Sequence, residues 1–402
     1  MHEQQHAEST VFATGVMTTF LLQAVFWILV LVGHLGIWCL IFNRSHATAW
    51  PRFWRKLIEK AIILLVLTPF VGYPLAIFQN GTFQLELLMQ HPLALVYASF
   101  CAVSSFYFLV TWLIRIATHR VPAAVQLVET RYIKVADELK RKLTHGSFAN
   151  LLSRVPFNQA TDLSLETRHI ALSKMKEGVS LRICQISDFH LTGHIDIAFF
   201  RHLVSLVNEW KPDIVFVTGD LIDETPCLDW IQPVFEPLHA PLGCYYLLGN
   251  HDRRMPSESE ERLLLEKVGL IRSGGLWHDL EFHGQRIKIA GNELPWYQGA
   301  EQLEPCDDDE ALQILLTHSP DQIDWARLFG FDLIFAGHTH GGQIRLPIVG
   351  PIISPSKYGV KYAGGTFREG SAIMHVNRGI CGDEPIRLNC PPEISFFVVE
   401  KC

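Results

Sequence analysis

The chain has 402 residues, 49% of them hydrophobic, and a formal net charge of −7. That length suits two domains better than one. Nine cysteines occur without a C-x-x-C pair, so neither a thiolate zinc finger nor a disulfide framework is indicated, and reduced, buried thiols are expected. Residues 1–145 hold 12 Lys/Arg against 7 Asp/Glu, and the remainder 22 against 34. An acidic C-terminal part argues against nucleic acid as a partner, because phosphate backbones select basic surfaces.

The chain opens with an apolar third. No charged residue lies between Val11 and Phe42, long enough for one membrane helix and too short for two. The run lacks a basic leader and is far longer than a secretory h-region, so a signal peptide is rejected. Three transmembrane helices are expected, near 15–40, 61–79 and 93–114. Pro69 and Pro74 would kink the second. His34 is expected to be packed or interfacial rather than a ligand. Arg44, Arg52, Arg55, Lys56 and Lys60 lie between the first two runs, and Arg115, Arg120, Arg131 and Lys134 follow the third. The stretch around Asn80 to Pro92 has no Lys or Arg. The positive-inside rule then places the N-terminus outside and everything after the third helix in the cytoplasm. Trp50 and Trp54 fit an interfacial belt. Residues 1–145 thus read as an anchor ending in a helical surface connector (120–145), and 146–163 as a linker.

From 164 to 402 the pattern alternates strand-like and helix-like stretches. Strands are expected at Leu181–Ser187, Asp213–Thr218, Cys244–Leu248, Arg286–Ala290, Gln313–Thr317, Asp332–Ala336, Ala372–Val376 and Ile394–Val399. Helices are expected at Ile197–Glu209 and Ser257–Val268. The fold class is α/β: a two-sheet β-sandwich flanked by helices, preceded by an all-α transmembrane region.

Polar residues follow five of these strands. They are Asp188 and His190; Asp220; Asn250, His251 and Asp252; His318; and His338 and His340. Ligand sites in α/β sheets form beyond the carboxyl ends of strands. Asp188 and His190, two apart on an extended segment, point to one side. A carboxylate such as Asp220 can bridge two cations. Any one Asp or His here would ordinarily be a turn or packed residue. Seven of these, all but His251 and Asp252, form a ligand set from five strand ends that points to a two-metal site, because burying so many polar groups without a cation is costly. Mixed nitrogen and oxygen donors suit Mn, Zn or Fe. Two such ions about 3.5–4 Å apart would clamp the attacking and leaving oxygens of a phosphoryl displacement.

The ordered set DFH, GD, GNHD, TH and GHTH, over roughly residues 180 to 400, resembles the calcineurin-like metallophosphoesterase superfamily. The resemblance implies one metal held by Asp188, His190, Asp220 and His340. It implies a second held by Asp220, Asn250, His318 and His338. It implies His251 as the catalytic histidine near the substrate phosphate and Asp252 as its orienting partner. GHTHGGQIRLP at 337–347, VNRGI at 376–380 and PIRLNCPPEI at 385–394 are similar to a membrane-associated branch, the YkuE-like transmembrane proteins with a metallophosphoesterase domain. That branch, with GDLID at 219–223, implies hydrolysis of UDP-2,3-diacylglucosamine in lipid A biosynthesis.

The expected function is therefore metal-dependent phosphoester or pyrophosphate hydrolysis at the cytoplasmic face of the inner or plasma membrane. Its partners would be a phosphoester or lipid-linked pyrophosphate substrate and the membrane, with no nucleic acid. The metals would lower the pKa of the attacking water, and His251 would protonate the leaving oxygen or stabilise the transition state. The rival readings are a broad phosphodiesterase or phosphomonoesterase and a non-catalytic metal-binding scaffold. His194, Arg253 and Arg254 are candidates for phosphate or headgroup contact, or else solvated loop residues. Arg378 either faces the site or serves the fold. His145, His169, His202, His239, His278, His283 and His375 match no motif and are assigned to structure or surface.

Overall fold

The computed structural model describes residues 2–79, 82–83, 91–118 and 120–402, with side chains described for 21–51, 53–68, 91–118 and 120–402. The chain divides into two compact units. One is Met1–His46 with Trp50–His119, and the other is Ala47–Ala49 with Arg120–Cys402.

The first unit is helical: α1 (His2–His46), α2 (Arg52–Ile77) and α3 (Pro92–Thr118). Within it, Leu21–His46 and Pro92–Thr118 are long and apolar enough to cross a membrane. The expected second span, 61–79, falls on α2 up to Ile77, with Phe78–Gln79 a short strand; its side chains beyond residue 68 lie outside the described residues, as does most of the 80–92 loop. Helices α1 and α3 approach closely because Gly33 has no side chain: a Cβ there would sit 1.7 Å from the Cys101 carbonyl oxygen. His34 is buried, its Nδ1 2.6 Å from the Tyr97 hydroxyl and its Nε2 3.3 Å from the Val66 carbonyl. It is a packed histidine, as expected.

The second unit begins with β1 (Val125–Lys134), α4 (Ser147–Leu152), β2 (Asp162–Ala171), β3 (Leu181–Ile186) and α5 (Ile197–Trp210). Then come β4 (Ile214–Thr218), β5 (Cys244–Leu247), α6 (Glu258–Lys267), β6 (Leu270–Arg272), β7 (Trp277–Phe282) and β8 (Gln285–Asn292). The chain finishes with β9 (Leu312–Thr317), β10 (Leu333–Ala336), β11 (Arg345–Leu346), β12 (Gly350–Pro351), β13 (Gly365–Glu369), β14 (Ala372–Val376) and β15 (Glu393–Glu400). One sheet has seven strands in the order β1-β2-β15-β3-β4-β5-β6, and the other six in the order β13-β14-β10-β9-β8-β7. Strands β3, β4 and β5 run parallel, as do β8, β9, β10 and β14.

Strand alternation builds the core. Leu181, Ile183, Ile214, Phe216, Leu312, Ile314, Leu333 and Phe335 form one cluster between the sheets. Their neighbours Cys184, Ile186, Val215 and Val217 turn outward to pack with Phe199, Phe200 and Leu203 of α5. On the other sheet Leu315, Ile334 and Ala336 turn outward. A strand covered on both faces reads as an unbroken apolar run, which explains why these strands are visible in the sequence. The expected two-sheet sandwich flanked by helices is the fold observed.

The expected helical connector at 120–145 is corrected. Val125–Lys134 is a strand, antiparallel to β2, with a bulge at Leu127/Glu129. It lies at the sheet edge with most side chains exposed, so no alternation marks it. Strand β2 falls across the expected linker boundary at 163/164 and was not expected either. It buries Glu166 and Arg168, and the ion pair with Glu393 of β15 makes that tolerable. The stretch 146–163 is packed rather than free: Asn158 donates to the Pro385 carbonyl at 2.9 Å and the Gln159 amide to the Arg387 carbonyl at 2.8 Å.

Candidate metal centre

Five strands end at one place. The loops after β3, β4 and β5 belong to one sheet, and those after β9 and β10 to the other, so the site straddles the sandwich edge. The loops are laced together: the Asp188 amide donates to the Gly219 carbonyl at 2.9 Å and the His190 amide to the Asp220 carbonyl at 3.0 Å. Asp188, His190, Asp220, His338 and His340 all have positive φ, between 45° and 69°. Such backbone costs on the order of 1–3 kcal/mol per residue and is concentrated where side chains must be aimed. Two glycines permit the crowding. A Cβ on Gly249 would lie 2.2 Å from Asp220 Oδ1, and one on Gly337 1.9 Å from Ser187 Oγ.

Asp188, His190, Asp220 and His340 bring ligand-type atoms within 4.8 Å of one another, and so do Asp220, His318 and His338. Asp220 belongs to both groups. Its Oδ2 is 3.6 Å from His190 Nε2 and 3.1 Å from His318 Nε2. Asn250 Oδ1 is 3.3 Å from His318 Nε2. The far nitrogens are held by fixed acceptors: His318 Nδ1 faces the Thr218 carbonyl at 2.7 Å, His340 Nδ1 the Cys381 carbonyl at 2.9 Å, and His190 Nδ1 the Asp223 carboxylate at 3.0 Å. Each Nδ1–H donates there, which leaves Nε2 with its lone pair aimed inward.

This donor set fits divalent cations. His190 Nε2 and His340 Nε2 face each other at 3.2 Å, two lone pairs that need a positive charge between them. Asp220 Oδ2 and His338 Nε2 are buried with no hydrogen-bond partner. Orphaned groups of this kind are expensive unless a cation meets them. Nitrogen and oxygen donors without thiolate suit Mn, Zn or Fe. Without a cation, burial lowers His318 but the Asp220 carboxylate outweighs it and pushes the ring up to about 9, so a metal at Nε2 must displace that proton. His340, where burial dominates, falls to about 4.

His251 lies beside this centre. Its Nδ1 is 3.0 Å from Asp223 Oδ2 and 3.2 Å from Asp383 Oδ1, and its backbone amide donates to Asp220 Oδ1 at 2.7 Å. Burial disfavours its charged form, yet the Asp220 and Asp223 carboxylates raise it well above the usual histidine range. Asp252 does not orient it, contrary to expectation. The Asp252 carboxylate instead accepts from the amides of Leu221, Ile222 and Gly249 at 2.7–3.0 Å, tying two loops together. The orienting group is Asp223, which holds both His190 and His251. The GDLID motif contains it, but the sequence reading singled out only its first aspartate.

Arg254 donates to Asp223 Oδ2 and Asp383 Oδ1, both at 2.8 Å, and so joins the site through these carboxylates. Asp383 carried no signal in the sequence. Arg253 is exposed. His194 lines a small cavity with Thr192, Gly382 and Glu384. Arg378 pairs with Glu166 and, at 3.2 Å, with Glu393, so it serves the fold. His375 is buried between Thr366 and Ser395, and His202 meets Glu138 at 2.8 Å.

The sandwich edge carries two overlapping histidine–carboxylate clusters able to hold metal ions. The calcineurin-like phosphoesterase family model matches residues 181–342. The uncharacterized metallophosphoesterase YkuE of Bacillus subtilis is 34% identical over 233 residues, covering 55% of this chain and 79% of the relative. The chain belongs to this calcineurin-like phosphoesterase family. The phosphodiesterase YaeI of Escherichia coli is 26% identical over 54% of this chain and 81% of the relative. The UDP-2,3-diacylglucosamine pyrophosphatase LpxG of Chlamydia trachomatis is 27% identical over 54% of this chain and 83% of the relative.

Proposed function

We propose that this chain is a two-metal phosphoesterase anchored at the cytoplasmic face of a membrane, acting on a lipid-linked nucleotide pyrophosphate. Asp188, His190, Asp220 and His340 would hold one ion, and Asp220, Asn250, His318 and His338 the other. The observation carrying this is Asp220 Oδ2, a buried and unpartnered oxygen shared by both clusters. Bound there, divalent ions would lower the pKa of the attacking water and offset charge on the phosphoryl oxygens.

The protein's own groups do the rest. Asp223 and the carbonyls of Thr218 and Cys381 fix the tautomers of the ligand rings. His251, held by Asp223 and Asp383, donates its proton to the leaving oxygen. Asp252 holds the loops after β4 and β5 together rather than touching the reacting groups. Replacing Asp220 by Ala is expected to remove both ions, seen by elemental analysis, and to lower turnover at least about 100-fold. Full turnover in Asp220→Ala would overturn the assignment.

The substrate class rests on two supports: the likeness to LpxG and the apolar helices ahead of the hydrolase. A diacylated nucleotide sugar resides in the membrane, where an anchored enzyme meets it. The orientation rests on the basic residues flanking the first and third apolar runs. The likeness to YaeI favours a second reading, a phosphodiesterase of wider range. Turnover of UDP-2,3-diacylglucosamine by the detergent-purified chain, with and without Mn²⁺, beside bis-p-nitrophenyl phosphate, separates the two. Metal-dependent UMP release far faster than diester cleavage supports the lipid substrate; diester cleavage alone supports the second reading.

A further inference from the structure

The loop that carries His338 and His340 runs straight into an exposed aliphatic hairpin. Strands β11 and β12 pair antiparallel, Arg345 with Pro351 and Leu346 with Gly350. Ile344, Leu346, Ile348 and Ile353 are 40%, 44%, 87% and 47% exposed. The hairpin is built on the ligand loop: the Gln343 amide donates to the His340 carbonyl at 2.9 Å, and the Pro351 side chain packs on Gly342. An apolar residue as exposed as Ile348, with aliphatic neighbours, marks an interaction surface.

A second exposed apolar segment shares its support. Phe148 and Leu151 of α4 are 51% and 60% exposed, and Phe157 just beyond is 89% exposed. Both segments are fastened to the same stretch of chain before β15. The Gln159 amide donates to the Arg387 carbonyl at 2.8 Å and the Arg345 amide to the Leu388 carbonyl at 2.9 Å.

Charge says what these segments face. Residues 341–356 include one charged side chain, Arg345, and residues 139–161 include Lys140, Arg141, Lys142 and Arg154 with no acid. Arg141 is committed to Asp196, and Lys140, Lys142 and Arg154 are exposed. The rest of the chain after residue 145 is strongly acidic, so these two stretches are basic, apolar exceptions on it. Aliphatic and aromatic tips flanked by cations suit the headgroup–acyl boundary of an anionic bilayer.

We infer that the β11–β12 hairpin and the α4–Phe157 segment form a bilayer-contact face, with Ile348 and Phe157 entering the lipid. This rests on the reading of α1 and α3 as membrane helices, which keeps the hydrolase unit tethered beside a bilayer. Contact through this face holds the loop of His338 and His340 at the lipid surface and gives the hydrolase a second hold on the membrane besides its anchor.

The test uses the full chain in liposomes of phosphatidylethanolamine and phosphatidylglycerol. Photo-reactive benzoylphenylalanine replaces Ile348, Phe157, Leu328 or Leu109 in turn, and lipid adducts are read by mass spectrometry. Leu328 is 74% exposed on another loop, and Leu109 is an exposed residue of α3. Lipid adducts are expected at Ile348, Phe157 and Leu109 and not at Leu328. Yield at Ile348 is expected to fall several-fold when phosphatidylcholine replaces both lipids. Adducts at Leu109 without adducts at Ile348 or Phe157 overturn the contact face and leave the anchor standing. No adduct at any position, Leu109 included, overturns the anchor reading and the face together. Labelling at Leu328 equal to Ile348 would mean non-specific capture and also defeats the inference. Ile348→Asp, an exposed change, should keep bis-p-nitrophenyl phosphate turnover at the parental rate, which separates this face from the metal chemistry.

Discussion

Asp223 shows how much one side chain can organise. It holds His190, a candidate ligand, with one oxygen and His251, the candidate acid, with the other. In Asp223→Asn the amide can satisfy only one ring as an acceptor, so metal affinity and turnover should both fall about 10–100-fold. Asp252→Asn should act differently. Its new NH₂ would oppose a backbone amide donor, costing about 1–3 kcal/mol of stability while metal content of the folded protein stays near parental. Titration calorimetry with Mn²⁺ and thermal melts on the two variants check this; metal loss without destabilisation in Asp252→Asn would restore the orienting role the motif implies.

Glu261 makes a separate prediction. Its carboxyl is fully buried with no hydrogen-bond partner. Burial, and then the Asp252 carboxylate, push it up to about 11. The unfolded chain releases this proton near pH 4.3. The group's full contribution to stability therefore exists below that range and is lost as pH rises towards about 11. Glu261→Gln keeps the shape without the titration. It should stabilise the protein by roughly 1–3 kcal/mol near pH 8, with the gain growing from pH 5 to pH 9 in melts. A gain independent of pH would mean the carboxyl is not protonated in the fold.

At the scale of elements, α5 illustrates a local signal kept by tertiary contacts. Asp196 caps it, accepting from the Ala198 amide at 2.8 Å, and also meets Arg141 and His145 at 2.6 and 2.8 Å. Burial raises its carboxyl, but the amide, His145 and Arg141 outweigh this and hold it below the usual carboxylate range. Its stabilisation is present above the unfolded value near 3.9 and fades as pH falls through the lower folded value. Asp196→Ala should cost about 1 kcal/mol at pH 7, and the deficit should narrow in melts below about pH 4. The same scale explains what was legible. All eight expected strands exist, because central strands buried on both faces are continuous apolar runs. Strands β1, β7 and β13 are edge strands, and β2 carries buried ion pairs; none has a run to read. A strand's membership of a sheet then depends on its partner rather than its composition.

For the whole molecule, the question is where the hydrolase begins. The sequence alone draws its start at 164, whereas the compact unit takes in Arg120–Cys402. A fragment of residues 120–402 keeps β1 on the sheet edge and should be soluble and folded, with metal-dependent diester cleavage near that of the full chain. A fragment of 164–402 truncates β2 and strips it of β1, exposing a raw edge, and should aggregate. Expression, circular dichroism and turnover of the two fragments decide between the boundaries. A soluble, active 164–402 fragment would make β1 dispensable.

By itself the sequence determined the fold class and the helices long and apolar enough for a membrane, and it pointed to seven residues as candidate ligands. Those features are carried by local patterns: runs of apolar residues, and polar residues placed just after them. The tertiary structure decided what no local pattern encodes. It brought Asp223 and Asp383 to His251, turned Asp252 into a brace between loops, and moved Arg378 into a buried ion network with Glu166 and Glu393. It also joined residues 125–134 to a sheet whose next strands lie some 30 and 260 positions further on. Each of these rests on distances between side chains far apart in the chain, and only folding sets those distances.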